Sequence, residues 1–116
     1  MEVFKCPFDK TVTVLVIDPK DQEYDQANEV FSTGTHGFTL IGGDIRAMVI
    51  DGAIMKEDWY TGAHLRIIMA HELGHIHNGT EDEQAADLAG FEILAEHGPM
   101  SAIDLYFQEM QARYCV

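Results

Sequence analysis

His71 and His75 stand four residues apart with a carboxylate between them, in the run His71-Glu72-Leu73-Gly74-His75. On an α-helix that spacing sends both imidazoles off one face, where they can grip a single ion. Glu72 is then close enough to handle a water on that ion without being a ligand itself. His-Glu-x-x-His is the zinc-site pattern in which the glutamate acts as general base. A catalytic zinc takes three protein ligands and leaves a fourth position for water, so the run needs one more donor. The plain alternative is an amphipathic helix whose histidines merely face solvent.

Periodicity indicates the elements that must position these groups. Leu65, Ile68, Met69, Glu72 and Ile76 recur at three- and four-residue intervals, which predicts a long helix from about Asp58 with an apolar face beneath the motif. Asn78-Gly79 supplies its left-handed stop. Thr80 is placed to cap a second helix running to about His97, ended by Gly98, and Pro99 opens a third, 99 to about 113. Ile103, Tyr106, Phe107, Met110 and Tyr114 make one apolar stripe along that third helix. Upstream, the β-branched run Thr11–Ile17 reads as a buried strand ended by Asp18-Pro19. Phe38–Ile41 and Ile45–Ile50 flank Gly42-Gly43-Asp44 as a hairpin, and Asp51-Gly52 closes its second strand. The polar segment from Lys20 to Glu29 is compatible with a short helix. Strands first and helices afterwards predict an α+β fold. A small twisted sheet of about three strands packs on the helix carrying the motif, and two further helices follow.

The third ligand belongs in the second helix, where Glu81, Asp82 and Glu83 are candidates. Glu83 ranks first because Asp87 follows it by one turn in the pattern Glu-x-x-Ala-Asp. A carboxylate at that offset can take the free N–H of a ligand histidine, fixing its tautomer. Small residues at Gly74, Ala86 and Gly90 let the two helices approach closely; Gly90 inside a helix otherwise only costs about 1 kcal/mol against Ala. Two rival readings stay open. Thr80-x-x-Glu83 is also a capping box, and Glu81 lies six residues after His75, where metzincin-type zinc proteases place their third ligand. His64 is on the face of His71, yet seven residues at helical rise put it roughly 10 Å away. His36, His77 and His97 read as surface residues.

Composition narrows the class. The chain has 116 residues, 47% of them apolar, and a net charge of -13. That size suits one domain with a modest core. The acidity argues against nucleic-acid or anionic-membrane partners, which need clustered Lys and Arg. No apolar run reaches membrane-span length, and the charged segment Met1–Lys10 is no signal peptide, so a cytoplasmic location is expected. Cys6 and Cys115 have no CxxC pairing and read as free thiols.

His71–His75 followed by Glu83-Gln84-Ala85-Ala86-Asp87-Leu88-Ala89-Gly90 resembles the gluzincin metallopeptidases, in the branch containing HtpX and the CAAX prenyl endopeptidases. The likeness continues through Phe91–Ala102, and Gly37–Ile45 is similar to that family's Ala-Phe…Gly-Gly…Ile strand segment. Residues 36 to 110 are covered, and the small members called minigluzincins are the most similar in length. The resemblance implies a single minimal zinc-metallopeptidase domain over 1–116, with Zn2+ held by His71, His75 and Glu83. It further implies Glu72 as general base, Asp87 as partner of a ligand histidine, and Ile45–Ile50 as the edge strand on which an extended substrate pairs, through Ile45, Ala47 and Val49. The chain departs from the membrane enzymes in three ways. Only seven residues, Ile76 to Asp82, separate His75 from Glu83, the membrane helices are absent, and no downstream His or Arg matches the oxyanion donor.

The expected function is a soluble zinc-dependent endopeptidase acting on a peptide or protein substrate. Glu72 would take a proton from water and deliver it to the leaving amine, and Tyr106, Arg113 or Tyr114 would serve the oxyanion. One alternative is a regulatory protease of the ImmA/IrrE kind with one specific protein substrate. Another is a catalytically silent, zinc-stabilised acidic interaction module; Glu72 speaks against it, since a structural site has no use for a base. The tail Gln111–Val116 raises a last question. Cys115 is a soft donor suited to zinc's fourth position, so the tail either occupies the cleft or is a frayed terminus.

Overall fold

A computed structural model describes residues 1–114. It is α+β, with a four-stranded mixed sheet and four α-helices. The chain forms two compact units, Met1–Tyr60 and Thr61–Val116.

The first unit holds the sheet: β1 (Glu2–Cys6), β2 (Asp9–Ile17), β3 (Gly37–Gly42) and β4 (Ile45–Asp51), with helix α1 (Tyr24–Phe31) after β2. Strand order is β1-β2-β4-β3, so β2 and β4 run parallel at the centre and antiparallel neighbours flank them. Alternation along the strands gives the sheet two apolar faces. Leu15, Ile17, Val49 and Phe38 join Ala27, Phe31 and Tyr24 of α1 in one cluster. Val12, Val14, Val16, Met48 and Ile50 are buried on the other face. The hairpin closes on Gly43 at φ 56°, a conformation that a Cβ would strain.

The expected small sheet is present with one strand more, and one expectation is corrected. A fourth strand, β1, is present; its sequence Glu-Val-Phe-Lys-Cys is mostly exposed and lacks an apolar face, so only pairing with β2 reveals it. Strand β4 is interior rather than an edge. Ala47 and Val49 are paired to Thr13 and Leu15 on one side and to Leu40 and Phe38 on the other, which leaves that strand no free ladder for a substrate. Ile45 lies beyond the β2 pairing and is 59% exposed beside the hairpin turn.

The second unit is a three-helix assembly of α2 (Gly62–Asn78), α3 (Glu83–His97) and α4 (Met100–Tyr114). Thr61 caps α2 reciprocally with His64 at its N3 position, which ties His64 to the helix start. Gly79, at φ 58°, ends α2 in the left-handed conformation. Helix α3 is capped by Asp82, whose side chain accepts from the Ala85 N–H. Thr80 instead accepts from the Asp82 N–H, so the Thr80–Glu83 capping box is not the one used. Pro99 stands just before α4, its carbonyl accepting from Ala102 and Ile103. Within the expected stripe Tyr106 is fully buried, but Phe107 is 51% exposed. Among the described residues no helix is long and apolar enough to cross a membrane.

The small residues do what the sequence suggests. A Cβ at Gly74 would collide with the Ala86 carbonyl, and one at Gly90 would lie 2.7 Å from the Ala70 carbonyl oxygen and 2.8 Å from the Tyr106 hydroxyl. Gly90→Ala should therefore destabilise the protein by about 1–3 kcal/mol through overpacking, despite the better helix propensity of Ala. Thermal or urea unfolding measures this; an unchanged midpoint would contradict the tight α2–α3 contact.

Candidate metal centre

Helix α2 delivers His71, Glu72 and His75, and the first turn of α3 delivers Glu83. His71, Glu72 and His75 each offer a donor atom, all within 4.8 Å of one another, so this group could hold a metal ion. Glu83 closes the figure. Its Oε2 is 3.0 Å from His71 Nε2, its Oε1 is 3.1 Å from His75 Nε2, and the two Nε2 atoms are 3.2 Å apart. Ligands at 2.0–2.2 Å around a tetrahedral ion are separated by roughly 3.3–3.6 Å, so the three residues need open by only a few tenths of an ångström.

The ring tautomers decide what can sit between them. His71 Nδ1 is 2.7 Å from Asp87 Oδ1, and His75 Nδ1 is 2.7 Å from the Thr80 carbonyl oxygen. Both partners only accept, so in the neutral rings each Nδ1 carries the proton and each Nε2 presents a lone pair. Two bare nitrogens and two carboxylate oxygens thus converge with no hydrogen among them. A cation resolves that arrangement, either a proton on an imidazole or a metal ion. The field favours positive charge: burial disfavours the charged form of His71, yet the Asp87 hydrogen bond and the carboxylates of Glu72, Asp87 and Glu83 raise its pKa overall.

Asp87 is the fixed point behind the site. It is fully buried, and both of its oxygens are saturated. Oδ1 accepts from His71 Nδ1 and from the Tyr106 hydroxyl at 2.9 Å; Oδ2 accepts from Arg113 at 2.5 Å and from the Tyr114 hydroxyl at 2.6 Å. Burial alone would raise its pKa, but the bonds from His71, Tyr114 and Tyr106 outweigh it and hold the carboxyl far below the usual range. Tyr106 is pushed the other way, by its own burial and by the Asp87 charge, and stays a hydrogen-bond donor. Tyr106, Arg113 and Tyr114, expected as oxyanion donors, are thus spent on Asp87.

Glu72 is 5% exposed, with Oε2 3.9 Å from His71 Nε2. Burial raises its pKa; the adjacent imidazoles oppose that shift without cancelling it. Glu83, by contrast, has a side chain 71% exposed, so the centre is walled behind and open in front. The rival Glu81 is exposed, whereas Glu83 touches both histidines. Glu83→Ala should weaken metal binding by more than the roughly 10–100-fold typical of changes behind the ligands, while Glu81→Ala stays near the parent value. Competition against a chromophoric chelator measures both, and the reverse order would reassign the third ligand.

Sequence reasoning missed the Thr80 carbonyl as orienter of His75; the left-handed Gly79 beside it was the available signal. His36, His77 and His97 are all exposed, as the sequence suggests. Cys6 is a buried free thiol, and Cys115, the candidate soft donor, lies outside the described residues. No protein-family model, curated protein or solved structure matches this chain.

Proposed function

We propose that this protein is a zinc-dependent endopeptidase of gluzincin type, similar to the minigluzincins, which hydrolyses peptide bonds of a peptide or protein substrate. One observation carries the reading. Two Nε2 lone pairs and both Glu83 oxygens meet at a point flanked by a buried carboxylate that is not needed as a ligand. His71, His75 and Glu83 fit zinc in donor type and separation, with a fourth position left on the exposed side. Bound zinc would supply an acidified water and a Lewis acid for the scissile carbonyl. Glu72, with its basicity raised by burial, accepts the proton at its carboxylate and returns it to the leaving amine. Asp87 keeps His71 in the Nδ1–H tautomer throughout.

Metal analysis of the purified chain, run beside hydrolysis of an unbiased peptide library, tests the reading. Stoichiometric zinc together with cleavage that chelation abolishes is expected; cleavage unaffected by chelation, or a chain that takes no zinc, would sink it. The engagement of Tyr106, Arg113 and Tyr114 by Asp87 favours one second reading, a zinc-stabilised acidic module without turnover. Stoichiometric zinc, a melting temperature that falls on chelation and no cleavage would identify that case.

A further inference from the structure

We infer that the Met1–Tyr60 unit carries a separate binding site, a pocket for an organic cation, an ammonium or guanidinium on a short apolar stem. The cavity measures about 270 Å³, below the roughly 300–1,000 Å³ of pockets for drug-sized ligands and suited to one stem with its head. It lies beyond the carboxyl end of β4, which pairs in parallel with β2. The carboxyl ends of parallel strands are where open sheets place ligands.

Its chemistry is that of a cation receptor. Asp51, in the wall, is only 9% exposed. Its Oδ1 accepts both the Tyr24 hydroxyl and the Ala53 N–H, each at 3.0 Å, which clamps the carboxylate in place. Neither bond uses Oδ2. Among the described residues no buried side-chain oxygen lacks a partner, so Oδ2 is open to solvent and to a donor. Glu57 adds a second, exposed carboxylate to the lining, and no described Lys or Arg side chain belongs to it.

The apolar half is equally specific. Trp59 is 44% exposed and stacks at 5.5 Å between ring centroids on His36, while Phe31 is buried beneath. Indole offers the best aromatic face for a cation within about 6 Å of its centre. The Thr35 hydroxyl donates to the Gly37 carbonyl at 2.6 Å, so the acidic pair sets the polarity. Two carboxylates exclude an anion, and a bare metal ion would leave the indole unused.

Two sources share this chemistry: a small free amine or guanidine, and the side chain of Arg or Lys in a peptide. The chain has a single tryptophan, so its fluorescence reports this pocket directly. Butylguanidinium and butylammonium should each give a saturable change, and neutral 1-butanol none. A capped Gly-Arg-Gly peptide separates the sources: saturation by it as well points to a basic side chain, and saturation by the free cations alone to a small molecule. Asp51→Asn keeps an oxygen for Tyr24 and Ala53 but removes the charge, and should weaken binding about tenfold or more with an unchanged circular dichroism spectrum. Should that variant fail to fold, Trp59→Ala, at an exposed position, should lower affinity several-fold by calorimetry. No saturable response, an equal response to butanol, or undiminished affinity in the folded variants would overturn the proposal.

Discussion

If the protein is the zinc endopeptidase proposed above, replacing Glu72 by alanine leaves zinc at the parent stoichiometry and lowers peptide hydrolysis by about 10²–10⁴-fold or more, the range that a positioned general base supplies. The two effects separate because the roles do. His71, His75 and Glu83 meet at 3.0 to 3.2 Å without help from Glu72, whose nearest approach to His71 Nε2 is 3.9 Å. A base beside the ion handles protons, and its removal empties the proton path while the donors stay in place. Because Glu72 is buried, truncation also leaves a small void; Glu72→Gln keeps the volume and should show the same loss of turnover. Zinc lost along with activity in both variants would place Glu72 among the ligands. Full activity with zinc retained would remove it from the chemistry.

Asp87→Asn will cost about 10–100-fold in metal affinity and will lower stability by about 1–3 kcal/mol. Four donors point at this carboxylate, from His71, Tyr106, Arg113 and Tyr114. An amide offers one oxygen and one NH2, so two of those donors would face another donor inside a fully buried site. Arg113 also loses one of its two carboxylate partners, keeping Glu109 at 3.3 Å, and because its side chain is 45% exposed solvent recovers part of that loss. Metal competition and urea unfolding measure the two effects. Parent-like values in both would reduce Asp87 to a packing residue. The same geometry assigns Arg113 and Tyr114, at the end of α4, to the support of Asp87 behind the candidate metal centre. A truncation after Gln111 should therefore weaken metal binding rather than release a blocked cleft.

The local chemistry is legible in the residues themselves. Spacing alone places His71, Glu72 and His75 on one helical face, since a turn of α-helix has a fixed pitch, and Asn78-Gly79 ends that helix where the fold ends it. Glu83 and Asp87 are legible for the same reason, being one turn apart on a second helix. Gly74, Ala86 and Gly90 announce a close crossing, because small residues in helix interiors otherwise only cost stability. The β-branched run at 11–17 likewise announces a strand, and the Gly42-Gly43-Asp44 turn announces the strand at 45–50.

What pairing and packing decide is not legible there. β1 carries too few apolar residues to declare itself and exists through its ladder with β2. The parallel pairing of β2 with β4, which moves β4 from the edge to the interior, joins residues more than thirty positions apart and has no local signature. The partners of Asp87 are the sharpest case. Tyr106, Arg113 and Tyr114 suit an oxyanion as well as a carboxylate, because a hydroxyl or guanidinium donates to either; only the docking of α4 against α3 selects among them. The sequence by itself determined the donor atoms of the candidate metal centre and the helices that carry them, since both follow from short-range periodicity. The tertiary structure decided which buried charge holds those donors still, because that depends on contacts between helices that no local pattern encodes.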